Sequence, residues 1–178
     1  MKLIYSFTIL LILSCNLNIV NDSYQLVKVS NYTAGVSILT PNNWKHISSV
    51  DPIIYAIDTS QINKIGPGFT LVELEANYSR DSMIILNLQD LGNSFTDVTE
   101  LTSTEIGDIV DCKNENTEIV VVSYNVKHTK VASVLAFYFV ETGHPKTYLL
   151  TFVIEYAELN RYNNLIKEIV KSFKIEPN

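Results

Sequence analysis

The sequence predicts an α+β domain in which an antiparallel sheet is covered by helices on both faces, and three observations carry that expectation. Segments with a period of two follow one another at Glu118–Lys127, Val131–Val140 and Thr147–Tyr156, the spacing of β-strands. The middle segment is apolar on both sides, Val131, Leu135, Phe137 and Phe139 against Ala132, Val134, Ala136, Tyr138 and Val140, so it calls for cover on both. After Tyr156 the period changes to steps of three and four, which predicts an amphipathic helix lying on the sheet.

Taken from its beginning, the chain opens with Met1-Lys2 and an apolar run Leu3–Leu13, the pattern of an export signal. That run is about eleven residues long, against the roughly twenty that a membrane-crossing helix needs. A plain secretory signal is the other reading. The residues Ile12-Leu13-Ser14-Cys15 resemble the lipobox of bacterial lipoproteins, although Leu13 is bulkier and Ile12 less common than the family's usual residues there. The resemblance implies cleavage after Ser14, attachment of a diacylglycerol to the Cys15 sulfur, and acylation of the new amino group, palmitate being one such chain. Residues 1–14 would then be a lipoprotein signal peptide, 15–23 a polar tether and 24–178 one globular domain. Two or three acyl chains hold a protein stably on a membrane where one is marginal. The expected address is the bacterial cell envelope, with the domain outside the cytoplasm, on the periplasmic or the outer side.

Tyr24–Val29 and Val36–Leu39 are short alternating runs expected to form a hairpin, ended by Pro41-Asn-Asn-Trp44. The single tryptophan is expected to pack against the edge of the core. Pro52–Asp58 reads as a strand and Thr59–Gly68 as a loop turned by Gly66-Pro67-Gly68. This is no phosphate cradle, because Phe69–Ala76 continues as a strand rather than as a helix opening on a lysine. Ser79-Arg-Asp-Ser82 suits a capped helix start, with Met83, Ile84, Leu88 and Leu91 as its apolar stripe and Gly92 as its expected stop. This is the second covering helix. Ser94–Thr104 is rich in Ser, Thr and acid and is assigned no element. Asp97, Glu100, Glu105, Asp108, Asp111, Glu115 and Glu118 read as a solvated acidic edge, since no loop has the spacing of a calcium site. Glu141–Lys146, with Gly143 and Pro145, turns the second long strand back on itself. Leu159, Tyr162, Ile166, Ile169, Val170 and Phe173 form the stripe of the last helix.

Gly35-Val-Ser-Ile-Leu-Thr-Pro-Asn-Asn-Trp44, taken with Tyr148–Ile154, Tyr162 and Ile169-Val-Lys-Ser-Phe173, resembles the opening and close of PsbP-like and Mog1-like domains, a superfamily that includes DcrB-like lipoproteins. The resemblance spans most of Tyr24–Ile175 and implies an α/β/α sandwich around a central antiparallel sheet. It marks a fold rather than an activity.

A chain of 178 residues with 47% hydrophobic composition can bury a core without disulfides. Its formal charge of −6, or −7 once Lys2 is removed, speaks against nucleic acid or anionic lipid held through net charge. With Cys15 lipidated, Cys112 has no partner for a disulfide and is expected to be a partly buried, inert thiol. His46, His128 and His144 lack metal-binding spacing and are expected at exposed loop positions. The hydrolase, redox and dinucleotide motifs Gly-x-Ser-x-Gly, Cys-x-x-Cys and Gly-x-Gly-x-x-Gly do not occur. No catalytic, metal or cofactor residue is assigned. The reading is a membrane-tethered, non-catalytic module that binds another envelope protein or serves as its accessory. The alternative is a carrier of a small apolar ligand held between sheet and helix, touched by Tyr55, Phe69, Tyr138 or Tyr162. An envelope enzyme ranks third.

Overall fold

The computed structural model describes residues 24–49, 52–60, 65–74, 79–141 and 145–176. The leader, Cys15, the tether and His144 lie outside them. The described chain runs β1 (Leu26–Asn31), β2 (Val36–Pro41), β3 (Lys45–Ser48), β4 (Ile54–Ile57), β5 (Gly68–Leu74), α1 (Arg80–Ser94), β6 (Thr96–Glu100), α2 (Ser103–Ile106), β7 (Thr117–Val126), β8 (Thr129–Val140), β9 (Lys146–Glu155), α3 (Leu159–Lys171) and β10 (Lys174–Ile175). Short 3₁₀ turns at Gly107–Cys112 and Tyr156–Glu158 lead into β7 and α3.

Seven strands form one antiparallel sheet in the order β3-β4-β5-β9-β8-β7-β6. The three long strands sit together because their side chains are apolar on both faces or nearly so, and only interior positions satisfy both. Register keeps the faces apart. Ala56 pairs with Phe69, Phe69 with Phe152, and Phe152 with Val134, so one buried row crosses four strands. That face packs against α3, which buries Leu159, Tyr162, Leu165, Ile166, Ile169 and Val170. Each such side chain contributes about 1.5–3 kcal/mol, an upper estimate. The opposite face, with Val122, Tyr124, Val131, Leu135 and Phe137, is covered by Ile84, Leu88 and Leu91 of α1 and by Phe95.

The α+β sandwich around an antiparallel sheet is therefore present, with three departures in detail. The first hairpin does not join the large sheet. β1 and β2 form a separate three-stranded sheet with β10, in the order β1-β2-β10, beside α3. Gly92 does not stop α1: the helix continues to Ser94, closed by the Phe95 N–H bonding the Leu91 carbonyl at 2.9 Å. A glycine there weakens a helix by about 1 kcal/mol without ending it, and space is open around it. The segment after Ser94, assigned no element from sequence, holds β6, an edge strand paired to β7 with a shift of register between Thr96 and Thr99. Asp97, at φ 56°, takes up that irregularity.

Local signals behave as their chemistry demands. Ser79 caps α1, its hydroxyl accepting from the Ser82 N–H at 3.3 Å. Trp44 is 2% exposed and packs on Phe69 and Phe152, with ring centroids 6.5 and 6.0 Å away. Gly66 has φ +72°, and a Cβ there would collide with the Val153 carbonyl, so the turn before β5 accepts no other residue without strain.

Candidate functional site

At the C-terminal end of α3 the small sheet, the 3₁₀ turn before β7 and the end of β8 converge. The last carbonyls of any helix lack partners within it. Here they are met from outside. The Tyr138 hydroxyl, on β8, donates to the Val170 carbonyl at 2.8 Å. The Ser172 hydroxyl donates to the Ile169 carbonyl at 2.6 Å and accepts from the Leu39 N–H of β2 at 2.8 Å. The Cys112 thiol lies 4.0 Å from the Lys167 carbonyl, a weak contact. Phe173, just beyond the helix, stacks on Tyr138 with centroids 4.2 Å apart and tilts against Tyr148 at 5.4 Å.

Two recesses flank this junction and share Lys171. One, of about 280 Å³, is lined by Cys112, Asn114, Thr117, Tyr138, Phe173 and Ile175 among others. The other is a groove of about 440 Å³ between β1, β2 and the helix end, lined by Leu26 and Leu39 and by the exposed Lys28, Lys171 and Lys174. Both are near or within the volumes of small-ligand sites, about 300–1,000 Å³. A third recess of about 420 Å³ lies by Asn31, Ile53, Glu73 and Lys146. Its two charges neutralise each other, Lys146 reaching Glu73 at 3.0 Å.

Burial governs the two titratable groups at the heart of the junction. Burial pushes the Cys112 thiol up, outweighing the pull of Lys171 and Lys167, so it stays protonated at neutral pH. Burial likewise drives the Tyr138 phenol well above its ordinary value and keeps it a donor. On the groove side, Glu176 accepts from Lys28 and from the buried Ser37 hydroxyl, and the Lys28 contact, foremost, holds its carboxyl below the usual range. Among the described residues no group of three or more His, Cys, Asp or Glu side chains could hold a metal ion. The acids from Asp97 to Glu115 are exposed, and Glu118 is half-buried and paired with Lys113. His46 stands exposed within β3 rather than in a loop, and His128 is exposed in the turn between β7 and β8.

The four tyrosine and phenylalanine positions singled out as ligand contacts do not converge. Phe69, Tyr138 and Tyr162 lie on the α3 face of the sheet or on α3 itself. Half-buried Tyr55 pairs with Thr70 between buried Ile54 and Ala56, which turns it to the opposite face. Phe69 is enclosed by Trp44, and Tyr162 packs against Tyr24 with centroids 5.9 Å apart. Tyr138 borders the recess of about 280 Å³, whereas the space beside Tyr162 is closed. The lysines of the groove escaped sequence reasoning. The only signal was Lys171 and Lys174 flanking Phe173 at a helix end, where cations are commonplace.

No protein-family model matches the chain, and no curated protein matches it in sequence. Solved structures do. The Ran-binding protein Mog1p of Saccharomyces cerevisiae superposes with a TM-score of 0.58 at 11% identity, over 86% of this chain and 96% of that one. LpqN of Mycobacterium tuberculosis, a protein involved in cell envelope biogenesis, gives 0.56 at 14% identity, over 89% and 95%. Cyanobacterial PsbP from Synechocystis gives 0.51 at 9% identity, over 85% and 93%. At these identities the likeness is one of fold, and the fold is PsbP/Mog1-like.

Proposed function

We propose that this chain is an envelope lipoprotein, anchored by lipid on Cys15, whose PsbP/Mog1-like domain binds a partner protein and catalyses nothing. The observation that carries the reading is how the polar groups inside the domain are used. Tyr138 and Ser172 tie α3 to its neighbours. Tyr124 and Ser133 bond each other at 2.8 Å. Asn31 donates to the Ile53 carbonyl at 2.9 Å and holds a loop. Groups so engaged fix a scaffold, and scaffolds serve by their surfaces. The lipobox-like Ile12-Leu13-Ser14-Cys15 supports the address. Among similar folds, one protein is Ran-binding and another is involved in envelope biogenesis, which supports a binding role in that compartment. No helix among the described residues is long and apolar enough to cross a membrane, which says nothing of a β-barrel.

The test is an intact-mass measurement of the mature protein from its own membranes, followed by cross-linking and capture of neighbours. A mass beginning at Cys15 and carrying acyl chains, with one reproducible protein partner, is the expected result. An unmodified Cys15 removes the anchor, and repeated capture of nothing removes the partner. A second reading, a carrier of a small ligand, draws on the recess beside Tyr138, where Asn114, Asn116, Thr117 and Lys171 stand among the apolar side chains and suit a ligand with polar groups rather than a purely apolar one. Gentle purification followed by native mass spectrometry should then retain a neutral bound species.

A further inference from the structure

The groove between β1, β2 and the end of α3 has the chemistry of a lipid site. We propose that it takes an anionic phospholipid of the membrane beside which the domain is held, with the acidic headgroup on the lysine rim and the start of an acyl chain over the apolar floor. The proposal rests on the anchored reading above.

The rim is assembled from distant parts of the chain. Lys28 comes from β1, Lys171 from the last turn of α3 and Lys174 from β10. All three are exposed. Lys28 reaches Glu176 at 2.6 Å, so part of its charge is already neutralised. Lys171 and Lys174 close no ion pair among the described residues, and the only other charge lining the groove is Glu168. Counting Glu168 and Glu176, the rim retains a positive excess on a chain whose formal charge is −6. A net negative protein is repelled by an anionic surface unless its cations are gathered where it touches. Here they are gathered. Each lysine close to an anionic membrane is worth about 1 kcal/mol, too little to recruit a free protein but enough to select a lipid once an anchor has supplied the effective concentration.

The floor and the position complete the argument. Leu26 and Leu39 are half-buried and share the face of the small sheet that carries Lys28, leaving a short apolar strip beside the lysines, while Ile38 turns into the core. Leu26 opens β1, at the amino-terminal start of the domain. The ten residues Asn16–Gln25 between Cys15 and Leu26 can span no more than about 40 Å. An acyl chain on Cys15 thus keeps the groove within about one domain length of the bilayer.

The test uses the full mature protein in mild detergent, titrated with phosphatidylglycerol or phosphatidylcholine and read by native mass spectrometry. Covalent mass reports the anchor, and non-covalent adducts report the groove, so failure of either is seen separately. The expected result is at least tenfold preference for phosphatidylglycerol, lost in K171E/K174E and kept in K45E/K127E, which changes net charge equally at exposed sites away from the groove. Circular dichroism checks that both variants fold, and if K171E/K174E does not, K171Q/K174Q replaces it. Equal binding of the two lipids, equal loss in both double variants, or tighter binding of a free fatty acid than of phosphatidylglycerol would each overturn the proposal.

Discussion

The Tyr138 hydroxyl donates to the Val170 carbonyl at 2.8 Å, and this bond joins the inner strand β8 to the last turn of α3. Tyr138 is 5% exposed and Val170 2%, so neither group has water as an alternative partner. Tyr138→Phe keeps the ring against Phe173 and orphans the carbonyl. A buried acceptor left unmatched costs about 1–3 kcal/mol. Urea unfolding should show a loss of that size with an unchanged slope, and an unchanged midpoint would refute a holding role for the bond.

Trp44 reports on the same core from its other end. At 2% exposure between Phe69 and Phe152, its fluorescence should be blue-shifted in the native state and move to the red on unfolding. Trp44→Ala removes a ring from a filled site and should cost about 3–5 kcal/mol. A small loss, or native emission already at the wavelength of water-exposed indole, would contradict the packing.

Cys112 is 4% exposed, and burial raises its thiol above the ordinary value. Thiolate is the reactive form. Maleimide labelling at pH 7 should therefore be at least a hundredfold slower in the native protein than in urea. Equal rates in the two states would mean an open, activated cysteine.

Glu176 makes the pairing of β10 sensitive to acid. Its carboxyl is lowered, chiefly by the bond from Lys28 and then by that from Ser37. A depressed value means that the carboxylate stabilises the folded state above its ordinary pKa, about 4.3. That contribution is lost as pH falls through the lower folded value. Amides of β2 and β10 should lose hydrogen-exchange protection below about pH 4 before those of β8 do, and Glu176→Gln should abolish the pH dependence. Simultaneous loss throughout the sheet would deny Glu176 a local role.

The parts of this fold legible in advance were those written in neighbouring residues. Period-two runs marked β7, β8 and β9, the doubly apolar β8 called for cover on both sides, and Ser79 announced the start of α1. Each depends on contacts within a few positions along the chain, where pattern and structure share one geometry. β3 escaped notice because all four of its side chains are exposed and carry no alternation. β10 is two residues long and is a strand only because β2 lies beside it. The same division runs through the candidate site. The apolar stripe of α3 and the lipobox-like cysteine are local facts, and the sequence by itself determined them. That Tyr55 faces away from Tyr138, and that Lys28 meets Lys171 and Lys174 over Leu26 and Leu39, were decided by tertiary structure. Strand register and sheet order bring distant residues together through pairing energies spread over whole strands, and no single stretch of sequence holds that information.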